Sequence, residues 1–370
     1  MIIDQNTYKL LTPGPLTTTP TVRNAMQKDL CTWDVDYKNM TQTIRKSLLR
    51  LAHADNGDYT VVLMQGSGTF GVESVLSSVI KATDKVLVAV NGAYSKRMVQ
   101  ICQYHHIPYI TVECPYDQVP DAAAIEKALE DHPEVTHISM VHSETTTGIL
   151  NDIASVGAVA KKHNVELIID AMSSFGGVDI NVPEVGATYL VSSANKCIQG
   201  VPGFSFIIAK KDKLMETKGT ARSLSLDLYD QWNTMEKDGG KWRFTSPTHV
   251  VAAFAEALKE LDEEGGIPAR NARYTKMNHL LREGMEKLGF KAYIDLVHQG
   301  PIITTYFYPE GITFDFHDMY QYLKDHGYVI YPGKLTDEDT FRLGNIGEIY
   351  EEDVEKILAI FADYLKGLKA

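Results

Sequence analysis

The feature that most restricts the fold is a regular alternation of apolar runs and helical patterns between Tyr59 and Ala209. Seven short runs begin near residues 60, 85, 109, 137, 165, 189 and 204, and segments with apolar residues at helical spacing separate most of them. Buried strands linked by helices are typical of a parallel sheet covered on both faces. The sequence therefore predicts an α/β fold with a seven-stranded, mainly parallel sheet.

The regions on either side of this alternation differ from it. Residues 1–18 are rich in Thr and Pro and show no periodicity, which predicts an extended N-terminal arm. A long helical pattern after Pro247 is broken by Gly265 and Gly266, and strands and helices then alternate less regularly. We expect an arm over 1–18, a large domain over 19–264 and a smaller α+β domain over 265–370.

Composition excludes several classes of partner. The net charge of −12, with no basic run to offset it, argues against binding to nucleic acid or an anionic membrane. No apolar run approaches the ~18 residues of a membrane span, and Met1–Gln5 does not begin a secretory signal. An anionic substrate would therefore need a local basic site.

The cysteines and histidines show neither disulfide nor metal-ligand spacing. We interpret the cysteines as reduced thiols, which predicts a cytoplasmic protein, and the 12 histidines predict no metal site. The four cysteines are Cys31, Cys102, Cys114 and Cys197.

A lysine and an aspartate occupy the ends of two predicted strands. Asp170 ends an apolar run and lies 26 residues before Lys196, which follows the next run and precedes a loop containing Gly200 and Gly203. Both side chains are therefore expected at the carboxyl edge of the sheet, where open α/β sheets bind ligands. A carboxylate and an amine in one cleft suit pyridoxal phosphate (PLP) as cofactor. The alternatives are an ordinary surface lysine and a strand-end aspartate.

A glycine-containing turn follows the first predicted strand of the large domain. Ser67, Gly68 and Thr69 lie between this strand and a helix, where backbone N–H groups and two hydroxyls can surround a phosphate. The turn lacks the lysine of a P-loop and the spacing of a dinucleotide fingerprint. The alternative is a glycine turn capped by Ser or Thr.

Stretches along nearly the whole chain carry a resemblance to a known family. The chain resembles the fold-type I PLP-dependent enzymes, in the branch of alanine–glyoxylate and serine–pyruvate aminotransferases. Within that branch it is similar to enzymes that transfer an amino group from 2-aminoethylphosphonate to pyruvate. The matching stretches are 11–17, 31–34, 64–70, 144–148, 170–177, 192–204, 221–232, 242–249 and 341–347.

The resemblance implies roles for further residues. Tyr94, in a stretch expected to end a strand, would stack on the cofactor ring, and the hydroxyl of Thr145 would lie near the ring oxygen or the substrate. Ser193 and Asn195 would reach the cofactor phosphate, and Gly14 would lie at the substrate.

The resemblance also implies that the segment 242–249 crosses the interface of a homodimer, so that Thr245 and, less directly, Ser246 would contact the partner's cofactor phosphate. The alternative is that Ser246 and Pro247 begin a helix. Arg342 presents a planar fork suited to a carboxylate or a tetrahedral anion, unless a neighbouring carboxylate pairs with it.

The resemblance implies a PLP-dependent transaminase that converts 2-aminoethylphosphonate and pyruvate to phosphonoacetaldehyde and L-alanine. Lys196 and Asp170 would be its catalytic residues. An alanine–glyoxylate or serine–pyruvate aminotransferase is the main alternative. A cysteine desulfurase is disfavoured because no cysteine lies in a suitable glycine-rich loop. A non-catalytic PLP-fold binding or regulatory module is disfavoured because no DNA-binding segment is visible.

Overall fold

The computed structural model describes residues 6–335 and 338–368. The first five residues of the predicted arm lie outside the described residues, as do residues 336–337 and 369–370 of the predicted small domain. The strands are β1 Lys9–Leu11, β2 Tyr59–Gln65, β3 Val86–Val90, β4 Tyr109–Glu113, β5 His137–Val141, β6 Ser143–Glu144, β7 Ile149–Leu150, β8 Glu166–Asp170, β9 Tyr189–Ser193, β10 Phe204–Lys210, β11 Ile303–Phe307, β12 Tyr328–Pro332 and β13 Thr340–Gly344.

The helices cover the faces of the sheets and connect their strands. They are α1 Pro20–Asn24, α2 Val35–Leu51, α3 Gly68–Val79, α4 Ala93–Tyr104, α5 Ala122–Asp131, α6 Ile153–His163, α7 Val182–Val185, α8 Lys211–Met215, α9 Leu228–Lys237, α10 Thr248–Glu264, α11 Gly266–Lys287, α12 Phe316–Asp325 and α13 Glu351–Leu368, with 3-10 turns at Ala25–Gln27 and Leu296–His298.

The central sheet confirms the predicted α/β fold. Its seven strands have the order β2-β10-β9-β8-β5-β3-β4, and only β10 runs antiparallel to its neighbours. Apart from the half-buried edge strand β4, its strands are almost completely buried because helices pack on both faces, as the continuous apolar runs predicted. The parallel strands β3, β5, β8 and β9 end at one edge, where Asp170 lies.

A second sheet lies in the C-terminal part of the chain and has the order β1-β12-β13-β11. The N-terminal arm contributes β1, which pairs in parallel with β12, and Lys9 Nζ lies 2.7 Å from Asp353 Oδ2. The sequence predicted an extended arm but no strand, because three residues are too short to show alternation. The domain boundaries at 18 and 264 stay predictions.

The transition between the two long C-terminal helices keeps the loop after Lys196 in place. Gly265, with φ +110°, separates α10 from α11. The helix therefore breaks at the glycine pair where the sequence predicted it. Arg270 of α11 is buried, and its Nη1 donates to the carbonyl of Cys197 at 2.6 Å. Helix α11 therefore holds the backbone beside Lys196.

The prediction that Ser246 and Pro247 begin a helix was wrong by one residue. Helix α10 starts at Thr248, and Pro247 occupies the position before it. Ser246 is buried, and its hydroxyl lies 2.5 Å from that of Tyr37. The orientation of the Ser246 hydroxyl is set by this contact with Tyr37, which is distant in the chain, and local sequence therefore cannot predict it.

All four cysteines are unpaired thiols, in agreement with the expectation of reduced cysteines. Within residues 6–335 and 338–368, no helix combines the length and the apolar character that crossing a membrane requires.

Candidate active site

A cavity of about 190 Å³ opens at the carboxyl edge of the central sheet. Because β8 and β9 are parallel neighbours, the chain after each strand arrives at the same place. Nine of the residues predicted from sequence line this cavity: Ser67, Gly68, Thr69, Tyr94, Thr145, Asp170, Ser193, Asn195 and Lys196.

Lys196 lies between the cavity and the N-terminal arm. Its Nζ donates a hydrogen bond to the carbonyl of Pro13 at 2.6 Å. A Cβ on Gly14 would stand 2.6 Å from Lys196 Cδ, so this position has no room for a side chain. Burial lowers the pKa of the Lys196 amine, although nearby Tyr94 and Asp170 oppose that shift. A less protonated amine is a better nucleophile and proton acceptor.

Asp170 supplies a carboxylate to the floor of the cavity. It is buried, and its Oδ1 accepts a hydrogen bond from the backbone N–H of Met172 at 2.9 Å. Burial raises the pKa of this carboxyl to about 6, although the positive charge of Lys196 acts against the shift. A cation bound in the cavity would stabilise the ionised carboxylate, and a protonated ring nitrogen is such a cation.

The first turn of α3 forms an anion-binding end of the cavity. Ser67 precedes this 12-residue helix, and its side chain does not cap it. The Ser193 hydroxyl is buried without a partner among the described residues. Arg97 Nη1 donates to Thr69 Oγ1 at 3.1 Å, which brings a cation to the same end. Helix N–H groups, hydroxyls and a guanidinium together suit a phosphate.

Tyr94 forms a wall of the cavity. Strand β3 ends at Val90, directly before the stretch that was expected to end it, and Tyr94 lies in the first turn of α4. Lys334 Nζ is 4.0 Å from the centre of the Tyr94 ring, and the Arg97 guanidinium is 5.0 Å from it. Burial acts to raise the pKa of the Tyr94 hydroxyl, but nearby cations, Lys196 and Lys334, outweigh it and lower the pKa to about 8.

Glu144 holds this wall in place. It is fully buried, and its carboxylate accepts hydrogen bonds from Ser95 N at 3.0 Å and from Thr146 Oγ1 at 2.7 Å. It thereby joins the start of α4 to the turn after β6, and each of these segments contributes a residue to the cavity. A carboxylate at a helix N-terminus also interacts favourably with the helix dipole.

Arg342 lies behind the cavity wall. It is buried in β13, where Nε donates to the carbonyl of Pro332 at 2.9 Å and Nη1 to that of Thr145 at 3.0 Å. In the described part of the chain no carboxylate pairs with it, which removes the alternative reading of a structural ion pair.

Four of the predicted residues do not line this cavity: Arg342 lies behind its wall, Gly14 lies in the arm against Lys196, and the other two lie elsewhere. Thr245 is exposed, and Ser246 faces Tyr37. Sequence reasoning also missed Arg97, Glu144 and Lys334. Only Arg97 could have been found from local sequence, because it follows Tyr94 by three residues on a predicted helix and so lies on the same helix face.

The donor set fits the cofactor that was expected from sequence. A PLP-sized ligand needs an amine, a carboxylate for its ring nitrogen and an anion-binding end, and the cavity supplies all three. The hydroxyl of Ser193, buried without a partner, supplies a donor that such a ligand would satisfy.

Comparisons with known proteins agree with this arrangement. The sequence model of the family "Aminotransferase class-V" matches residues 23–341. The 2-aminoethylphosphonate–pyruvate transaminase of Lysinibacillus sphaericus is 55% identical over 358 residues, which cover 97% of each chain. A bifunctional phosphonoacetaldehyde hydrolase/aminoethylphosphonate transaminase of Clostridioides difficile is 52% identical over 98% of this chain and 57% of that protein.

The fold is also found among solved structures. Pyridoxamine–pyruvate aminotransferase from Mesorhizobium loti superposes with a TM-score of 0.90, and the alignment covers 100% of this chain and 95% of that one. Its sequence identity is 22%, so the similarity supports the fold alone.

Proposed function

The chain belongs to the class-V aminotransferase family, and from this we propose that it transfers the amino group of 2-aminoethylphosphonate to pyruvate, with PLP as cofactor. The products are phosphonoacetaldehyde and L-alanine. The observation that carries the proposal is the meeting of Lys196 and Asp170 in one cavity beside an anion-binding helix terminus.

Each group in the cavity has a place around the cofactor. The hydroxyls of Ser67, Thr69 and Ser193 would hold its phosphate, and Asp170 would face its ring nitrogen. When bound, PLP supplies an electron sink that acidifies the carbon bearing the substrate amine. Tyr94 and the arm at Pro13 exclude water from the Lys196 side.

Lys196 is the residue placed to move protons. Its Nζ would hold PLP covalently and, when free, would accept the proton from the substrate carbon. The lowered pKa suits this role, because a larger fraction of the amine is neutral than for an ordinary lysine. Asp170 would keep the ring nitrogen of PLP protonated, because its ionised carboxylate could accept a charge-assisted hydrogen bond from that nitrogen.

The direct test mixes the holoenzyme with each amine alone and follows the visible absorbance of the bound cofactor. 2-Aminoethylphosphonate should discharge the lysine-bound form, and pyruvate should restore it while L-alanine appears. If serine discharges it and 2-aminoethylphosphonate does not, the protein is a serine–pyruvate enzyme and the proposal is wrong.

Lys196→Ala should reduce turnover at least about a thousandfold, because attachment and proton transfer are lost together, whereas acid–base catalysis alone contributes ~10²–10⁴-fold. Cofactor binding, measured by fluorescence, should persist through the phosphate contacts. Exposed Lys127→Ala is the control and should keep full activity.

We also propose that the active unit is a homodimer in the cytoplasm. Thr245 and Phe244 are exposed, and a groove of about 440 Å³ lined by Phe70 and Phe244 runs next to the helix that begins at Gly68. A partner subunit on this groove would bring a Thr245 hydroxyl toward the phosphate site. The unpaired cysteines support a reducing compartment.

A further inference from the structure

Two cations contact Tyr94, which lines the cavity, and neither has an acidic partner among the described residues. Lys334 is half-buried and Arg342 is buried, and no carboxylate within residues 6–335 and 338–368 forms an ion pair with either. Acidic residues outnumber basic ones in this protein, 48 to 36. Two neighbouring cations left without a carboxylate therefore indicate a site for an anion that comes from outside.

The β12–β13 connection brings Lys334 to this place. The N–H of Gly333 donates to the carbonyl of Thr340 at 2.9 Å, and a Cβ on Gly333 would stand 2.1 Å from Thr340 Oγ1. Arg342 holds the end of β12 through the carbonyl of Pro332. The chain then places Lys334 Nζ 4.0 Å from the Tyr94 ring centre. The position of Lys334 therefore depends on Arg342 in the neighbouring strand β13.

Tyr94 lies close to both cations, Lys334 and Arg342, and to the amine of Lys196. Its hydroxyl interacts with Lys334 and Arg342, and Lys196 lies near enough to lower its pKa. Arg342 uses Nε and Nη1 on backbone carbonyls, so only part of its fork remains for a substrate. A tetrahedral dianion has three oxygens and two charges to satisfy, and a carboxylate has two oxygens and one charge.

We propose that Lys334 binds the phosphonate of the amino donor together with Arg342, and that Lys334 is the residue that favours a phosphonate over a carboxylate. This inference rests on the proposed function. The single charge of pyruvate or alanine needs one cation, which Arg342 supplies. The second charge of the phosphonate needs another, and an ammonium on a flexible stem can follow a tetrahedral group.

The test measures the two half-reactions separately with the holoenzyme of Lys334→Met. The ratio kcat/KM for 2-aminoethylphosphonate should fall about 10- to 100-fold, as expected for one lost charge-assisted hydrogen bond. The same ratio for alanine should change less than about threefold. Lys334→Arg should restore most of the loss because it keeps the charge.

A measurement without turnover gives an independent readout. Ethylphosphonate and propionate do not react, and their inhibition constants report binding alone. Lys334→Met should raise the constant for ethylphosphonate about 10- to 100-fold and leave that for propionate within about threefold. Lys291→Met is the matched control, since Lys291 also lies over an aromatic ring, that of Phe307, but in a separate groove that contains no predicted site residue.

The outcomes separate the two proposals. If the wild type does not accept 2-aminoethylphosphonate, the proposed function fails. If the wild type accepts it and Lys334→Met binds ethylphosphonate normally, or loses phosphonate and carboxylate equally, the assignment of Lys334 is overturned. Normal visible absorbance of the bound cofactor in each variant verifies that the site is folded.

Discussion

At the residue scale, the site holds two ionisable groups in environments that disfavour their charged forms. Burial raises the pKa of Asp170 to about 6 and lowers that of Lys196. Groups shifted in this way are typical of functional sites, because the ligand provides the missing partner. The burial that causes these pKa shifts also makes the cofactor-free protein less stable.

Asp170→Asn should therefore stabilise the cofactor-free protein while it slows the reaction. The folded-state pKa of about 6 lies above the unfolded value of 3.8, so the folded state binds more protons between these values and stability falls as pH rises through them. Above pH 6 the variant should gain about 3 kcal/mol in free energy of unfolding, and below pH 4 the gain should vanish. Urea unfolding of the cofactor-free wild type and variant at pH 8 and at pH 4 measures the gain and its disappearance.

Activity and a control complete this prediction. The half-reaction of Asp170→Asn should be at least about a hundredfold slower in stopped flow, because an amide cannot hold the ring proton. Asp121→Asn changes an exposed aspartate that caps α5 and should give no gain in stability. A cofactor-free Asp170→Asn protein less stable than the wild type at pH 8 would contradict the argument.

At the element scale, Glu144 connects the start of α4 to the turn that carries Thr145. Its carboxylate accepts hydrogen bonds from Ser95 N and Oγ and from Thr146 N and Oγ1. A Cβ on Gly92 would lie 2.3 Å from Glu144 Cδ, so the glycine allows this close approach. The geometry of Tyr94 therefore depends on a residue that does not line the cavity.

Glu144→Gln should lower the free energy of unfolding by about 2–4 kcal/mol, since an amide leaves buried donors without acceptors. It should also alter the circular dichroism of the bound cofactor, because Tyr94 and Thr145 shift. The control is Asp152→Asn, which caps α6 at the surface. That variant should lose less than about 1 kcal/mol, because asparagine also caps helices, and should keep the cofactor signal. An unchanged cofactor signal in Glu144→Gln would show that the residue is structural only.

At the scale of the whole molecule, an apolar surface adjoins the phosphate end of the cavity. Phe70 is 50% exposed and lines the same groove as Phe244, and Leu224, which is 75% exposed, directly precedes the groove residue Ser225. Exposed apolar groups clustered at a groove are typical of protein interfaces. This agrees with the proposed homodimer.

We expect sedimentation to show a dimer for the wild type and dissociation of Leu224→Asp at micromolar concentration, because a buried carboxylate would have no partner. Activity and cofactor affinity should fall together in the dissociated variant if the partner's Thr245 completes the phosphate site. Val297→Asp also changes an exposed apolar side chain, 82% exposed on a 3-10 turn, and should remain dimeric. A fully active wild-type monomer would contradict the proposal.

The sequence by itself determined the central sheet and most of the cavity. Apolar runs mark buried strands, and parallel strands end at one edge, so Asp170, Lys196 and Ser67–Thr69 could be brought together without coordinates. These residues follow their strands directly, and local sequence therefore places them. The family resemblance added Tyr94 and Thr145, which also line the cavity.

Only the tertiary structure decided which residues from elsewhere meet this edge. Pro13, Glu144 and Lys334 reach the site from three separate parts of the chain, through contacts with Lys196, α4 and Tyr94. Such contacts depend on how loops return and where side chains point, and no short-range period in the sequence records either. Burial, which shifts the pKa values of Asp170 and Lys196, likewise exists only after the helices have packed on the sheet.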